Sequence, residues 1–372
     1  MKITDVEAII LSLPQIRERT DGTQDVLLVK VTTDSGIVGW GEVDSSPLVA
    51  KSIIDAPISH TISRGLRHLV LGEDPFAYEY LWDRMYQGSL YHGRRGAAIQ
   101  AMSGIDLALW DIMGKALQMP AYKLLGGGFR KSVRAYASAL FGDDLAHTAD
   151  KVKGYVDQGF TAVKMGWEPM GQNADYDVQL VQTMRHAAGP KVDVLIDAGL
   201  CWDAKTAIQM ARRFAEYDIF WLEEPLHPDN LDGYRRLSEA TDVRIAAGEE
   251  ESSRASFVDL MDRGKIDVVQ VDVTRVGGLT EAKKIAFLAH DRGLPCVNHS
   301  FTTDINIAAS LHLLAAIPNA ILLEFCAEES PLRTQLAKEP IQVIDGFARV
   351  PEGPGLGVEL NEEVIERYRV RA

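Results

Sequence analysis

Val192-Asp193-Val194-Leu195-Ile196-Asp197 is an apolar run that ends on an acid. The pattern returns as Ile219-Phe220-Trp221-Leu222-Glu223, and again as Arg244-Ile245-Ala246-Ala247-Gly248-Glu249. The spacing is even, with 26 residues from Asp197 to Glu223 and 26 from Glu223 to Glu249. That interval fits one strand, one loop and one helix, the repeat of a parallel α/β barrel. Three acids closing three successive strands would share one rim, where their repulsion is costly unless a cation lies among them. The pattern predicts a hard divalent metal site at Asp197, Glu223 and Glu249, with Mg²⁺ as the expected ion.

Working outward, apolar strand candidates end near Ser138, Lys164, Asp197, Glu223, Ala247, Val271, Asn298 and Glu324. Helical segments alternate with them, at Tyr176–Ala188, Ala204–Tyr217, Ser252–Arg263 and Thr280–Arg292. Eight alternations predict an α/β fold, a (β/α)8-type (TIM-like) barrel over residues 131–337, with irregularity expected in its seventh and eighth units. Residues 1–130 read differently. A strand over Lys2–Leu11 and a hairpin around Thr33-Asp34-Ser35-Gly36 precede helices near Phe76–Met85 and Ala97–Leu117. Strands followed by helices indicate an α+β domain, expected to cap the barrel. Residues 338–372 return to short strands and turns, a tail expected to pack back on and complete that capping domain.

The 372 residues suit a barrel with one accessory domain. A net charge of −14 argues against nucleic acid or an anionic membrane as partner, while metal and lysine can still make one site positive. Three cysteines, Cys201, Cys296 and Cys326, give no disulfide framework and suit a reducing compartment. The N-terminus enters a strand pattern with no signal-peptide core, and no apolar run is long enough to span a bilayer. A cytoplasmic location is expected. So is a homo-oligomer, with Trp40 and the long helix as candidates for packing between subunits.

In such a barrel the C-terminal strand ends face the active site. That rule gathers Lys164, the three acids, Asp272, His299 and Glu324 at one mouth. His299 and Asp272 form a candidate general-base dyad, since a carboxylate behind an imidazole fixes its tautomer and raises its basicity.

These residues sit in motifs that resemble the enolase superfamily, and within it the mandelate racemase subgroup. The motifs are Gly159-Phe160-Thr161-Ala162-Val163-Lys164, Trp221-Leu222-Glu223-Glu224-Pro225, Ala247-Gly248-Glu249, Asp272-Val273-Thr274-Arg275-Val276-Gly277-Gly278 and Asn298-His299-Ser300-Phe301. The resemblance covers essentially the whole chain. It implies Mg²⁺ on Asp197, Glu223 and Glu249, with Glu224 supporting a ligand from behind and Glu250 without an assigned role. It further implies that Glu324 hydrogen-bonds the substrate carboxylate opposite the metal, which requires a protonated acid with a raised pKa. Two departures stand out. Relatives often carry a second base two residues after the lysine, written Lys-x-Lys or Lys-x-His, but this chain has Lys164-Met165-Gly166. Lys164 would then contact the substrate carboxylate as a cation. At Gly199, relatives often carry a polar amide.

With one base, the resemblance implies removal of the proton α to a carboxylate by His299, then loss of the β-hydroxyl of an acid sugar to a 2-keto-3-deoxy product. The alternative is a racemase, epimerase or cycloisomerase using the same enolate. A catalytically silent binding protein has no need for clustered acids. Specificity is expected from the capping domain, at Gln15–Gln24, Asp44–Ser46 or Tyr91–Arg95, with Arg17, Arg19 and Arg94 as candidate contacts.

Overall fold

The computed structural model describes residues 1–371. Three antiparallel strands open the chain, β1 (Ile3–Ser12), β2 (Asp25–Thr33) and β3 (Val38–Val43), paired in that order. The helix Ala97–Leu117 lies flat on β3 because glycines meet there: a Cβ at Gly41 would fall 2.0 Å from the Gly104 carbonyl oxygen. From Ala98 to Gly114 every residue of this helix except Gln100 is buried. A helix apolar all round is a core helix. It joins the two halves of the molecule: Trp110 Nε1 donates to Thr280 Oγ1 at 2.9 Å, and the Gly277 amide donates to Ser103 Oγ at 2.8 Å. Its sides are spent within one chain, which corrects the expectation that it packs between subunits.

Eight parallel strands follow: β4 (Ser132–Leu140), β5 (Ala162–Gly166), β6 (Asp193–Asp197), β7 (Ile219–Glu223), β8 (Ile245–Ala247), β9 (Val268–Val271), β10 (Cys296–Asn298) and β11 (Leu323–Cys326). Each of β4 to β9 pairs with the next, and β11 returns to pair with β4, so the sheet curls on itself. Between β10 and β11 there is one isolated bridge, Cys296 to Ala320, in place of a ladder. The Asn298 side chain spans this seam, accepting from the Glu324 amide at 2.9 Å and donating to its carbonyl at 3.3 Å. The irregularity expected in the last two units lies here.

Tyr136, Ala162, Leu195, Trp221, Ala246, Val268, Val297 and Leu322 form a buried cluster inside the curl. Side chains on a strand alternate between faces, so the residue two further on shares the inner face. Lys164 follows Ala162 in this way, as Asp197 follows Leu195, Glu223 follows Trp221, His299 follows Val297 and Glu324 follows Leu322. An apolar plug thus forms the floor, and the ionisable groups stand in the layer above it. Past β11 the chain adds β12 (Val343–Ile344) and β13 (Phe347–Arg349), the latter antiparallel to β4. Near the C-terminus the Val370 amide donates to the Ile10 carbonyl at 2.9 Å, reaching β1. Among the described residues no helix is long and apolar enough to cross a membrane.

Candidate active site

Asp197, Glu223 and Glu249 offer carboxylate oxygens that all lie within 4.8 Å of one another. All three are buried, at 3%, 0% and 4% exposure. Carboxylates so close repel unless cations intervene. One cation is Lys164 of β5, whose ammonium pairs with Glu223, lies 2.7 Å from Glu324 and 3.5 Å from Asp197. Trp221 Nε1 donates to Glu223 Oε2 at 2.8 Å and fixes its orientation. Glu249 Oε2 is buried with no hydrogen-bond partner. A buried oxygen with no hydrogen-bond partner, beside two further acids, fits a hard cation that takes oxygen ligands, so the residues present suit the expected metal.

Burial, the largest cause, lifts Asp197 to about 6 and Glu223 to about 7, against the pull of Lys164. Glu249 is raised as well, first by burial. Carboxyls raised above their ordinary values of 3.8 and 4.5 hold protons in the folded state that the unfolded chain releases. Without metal, stability therefore falls as pH rises through that window, to about 7. Mg²⁺ binds the deprotonated acids and replaces those protons. The rise in Tm on adding Mg²⁺ should consequently be larger at pH 8 than at pH 5, as scanning calorimetry will show. An equal shift at both would place the ion elsewhere.

Opposite the acids, His299 Nδ1 lies 2.6 Å from Asp272 Oδ2, leaving Nε2 to face the site 3.4 Å from Glu249 Oε2. The other oxygen of Asp272 accepts from the Thr274 amide at 2.6 Å and the Thr274 hydroxyl at 2.5 Å. That hold keeps Asp272 Oδ2 aimed at the imidazole. Burial lowers the pKa of His299, but Glu249 and Glu324 outweigh it and push it up to about 10. A divalent cation on Glu249 opposes that push.

Glu324, at the end of β11, reaches the same layer as the three acids. Burial raises its pKa, but Lys164 and His299 outweigh burial and hold it below its ordinary value. It accepts from the Ser300 amide at 2.7 Å and pairs with Lys164. Its pairing with Lys164 also holds that ammonium in place beside the three acids. For Lys164, burial lowers the pKa, but Glu223 and Glu324 lead the charges that raise it well above the ordinary value. It remains a cation. Glu224 points away from the three acids, accepting from Tyr234 at 2.6 Å and from the Gly248 amide at 2.7 Å, which anchors the turn that carries Glu249.

The sequence reading gave no role to Arg275 or Trp167. Arg275 Nη2 lies 2.9 Å from Asp44, and its Nη1 donates to the Glu249 carbonyl at 3.2 Å. This pair ties the loop after β3 to the mouth. An acid just past a strand end (Glu42-Val43-Asp44) was the available clue. Thr20 and Gly22 of the Gln15–Gln24 segment line the cavity with Asp44, whereas Arg17 and Arg19 line a separate groove and Arg94 is exposed outside. Those three arginines are not brought to the site.

The two departures at Gly166 and Gly199 prove to be one feature. A Cβ at Gly166 would lie 2.3 Å from Asp197 Cβ, so a side chain there collides with a metal-site residue. Trp167 follows with φ +65°, and a Cβ on Gly199 would fall 2.8 Å from its indole. A positive φ costs a non-glycine residue about 1–3 kcal/mol. Here it turns the indole over Gly199 and into the cavity wall.

Comparison with known proteins matches this architecture along the whole chain. The family model described as "Enolase C-terminal domain-like" matches residues 147–364. That of the mandelate racemase / muconate lactonizing enzyme N-terminal domain matches residues 5–126. An arabinonate dehydratase of Saccharolobus solfataricus is 35% identical over 96% of this chain and 94% of its own. A D-galactarolactone cycloisomerase of Agrobacterium fabrum is 32% identical over 92% of this chain and 91% of its own. The crystal structure of the 3,6-anhydro-D-galactonate cycloisomerase of Zobellia galactanivorans superposes with a TM-score of 0.91 at 34% identity, covering 100% of both chains. The chain therefore belongs to the enolase superfamily, in its mandelate racemase subgroup.

Proposed function

We propose that this protein is a Mg²⁺-dependent hydro-lyase of acid sugars, with residues 131–337 as a catalytic barrel and residues 1–130 as its specificity cap. Relatives named as dehydratases of sugar acids support the class of reaction. Held by Asp197, Glu223 and Glu249, Mg²⁺ would supply positive charge to the substrate carboxylate, an established use of such sites in this superfamily. Lys164, kept cationic and positioned by Glu324, adds a second positive group beside that carboxylate. His299 Nε2 takes the α-proton, and Asp272 holds the resulting imidazolium. The same Nε2–H then donates to the β-hydroxyl, which departs as water. The remaining enol becomes a 2-keto-3-deoxy acid.

The observation that carries the one-base reading is Gly166. Racemisation needs a proton donor on the opposite face, and the Cβ position there runs into Asp197 at 2.3 Å. A cycloisomerase is the second reading, favoured by relatives named as cycloisomerases; it keeps His299 as base and replaces water loss by opening of a lactone or anhydro ring. Incubation with a panel of aldonic and aldaric acids, their lactones and anhydro derivatives, Mg²⁺ and D₂O separates the two. The proposal expects 2-keto-3-deoxy products from at least one acid. Cα deuteration with ring opening and no water loss would favour the cycloisomerase, and no exchange with any acid would overturn both.

A further inference from the structure

Resting on that reading of the site, the geometry points to a more specific ligand: an acid sugar with a single carboxylate, whose carbon chain beyond the β-carbon lies against the indole of Trp167. Two independent observations lead there, one of charge and one of shape.

The charge observation concerns the cavity of about 210 Å³ above the acids. Besides His299, which the reaction uses as its base, Lys164 and Arg275 line it as cations. Lys164 is committed to Glu223 and Glu324. Arg275 is committed to Asp44 at 2.9 Å and to the Glu249 carbonyl. The first substrate carboxylate has the metal site and Lys164 to meet. A second, at the far end of an aldaric acid, would find Asp44 and Glu250 on the wall and no cation left unpaired. Like charges brought together in a confined site disfavour that ligand.

The shape observation is Trp167. Its ring is held in the wall by a left-handed backbone and by the missing side chain at Gly199, on the strand-end side where Gly166 excludes a base. A flat aromatic face is a poor partner for a carboxylate and a good one for the C–H face of a polyol chain. Thr20 from the cap and Phe301 after β10 line the same cavity and add no charge. The residue that occupies the base-free face thus also selects what lies against it.

The test is calorimetric binding to Mg²⁺-loaded protein, using His299→Asn as background so that no turnover intervenes, with the pairs D-gluconate and D-glucarate, and D-galactonate and D-galactarate. At least one aldonate should bind about tenfold or more tightly than its aldarate. Trp167→Ala should weaken that aldonate about tenfold with Mg²⁺ affinity unchanged, and Trp167→Phe should recover most of the loss. Gly199→Ala gives a second route to the same loss if Trp167→Ala folds poorly, because its Cβ displaces the ring. Equal or tighter binding of aldarates, an aldonate indifferent to both changes, or no binding of any acid overturns the inference. Turnover that prefers aldarates would sink it while leaving the dehydratase reading intact. Trp167-dependent aldonate binding without Cα exchange in the wild type would do the reverse.

Discussion

His299→Asn is expected to abolish both product formation and solvent deuterium incorporation at Cα, a loss of roughly 10³-fold or more, since a positioned base contributes about 10²–10⁴. Asparagine fills much of the imidazole volume and still offers Asp272 a hydrogen bond, so the fold should survive and Mg²⁺ should still bind. What disappears is a nitrogen able to accept and return a proton. The buried pair at 2.6 Å leaves Nε2 as the reacting atom. The Gly166 side holds no substitute within reach of the same carbon. Exchange at the wild-type rate in the variant would remove His299 from the chemistry.

The second large effect is expected from Glu249→Gln. Partners behind a metal ligand are worth about 10–100-fold in affinity, so loss of a ligand itself should weaken Mg²⁺ by roughly 100-fold or more, with activity falling alongside. Glu249 is the informative ligand to change because its Oε2 is buried without a hydrogen-bond partner. Neutralising it removes repulsion from Asp197 and Glu223, and gives up the ion pairs of Glu249 with His299 at 3.4 Å and Arg275 at 3.8 Å. Because these two effects oppose, the variant should melt close to wild type in the absence of metal, yet gain almost nothing from added Mg²⁺. A variant that melts much lower and keeps its Mg²⁺ response would make Glu249 a structural residue.

Much of this fold could be read along the chain because buried parallel strands are near-continuous apolar runs. Val194-Leu195-Ile196 and Phe220-Trp221-Leu222 announce themselves, and the acid closing each marks the rim. The helix Ala97–Leu117 was equally plain from its length and apolar breadth. Groups whose meaning depends on distant partners were not legible. Arg275 looks like an ordinary loop cation until Asp44, 231 residues away, is seen against it. Burial alone raises the pKa of Glu324; the Lys164 ammonium that pulls it the other way comes from another strand. Gly166 and Gly199 look like two separate losses, because sequence separation conceals that both contact Asp197. Asn298, quoted only as part of a motif, turned out to bridge strands that have no ladder.

The crowding around Gly166 also bears on how this catalyst can diverge. Within the superfamily, acquiring a second proton carrier at that position looks like a one-codon step toward inversion of configuration. In this chain the step is blocked, since the first carbon of any new side chain must displace Asp197 before its functional end reaches a ligand. A lineage starting here would have to rebuild the Trp167 turn first, and would disturb the three-acid cluster on the way. Stereochemical retraining should therefore fail by single substitutions and succeed, if at all, only by exchange of the whole loop.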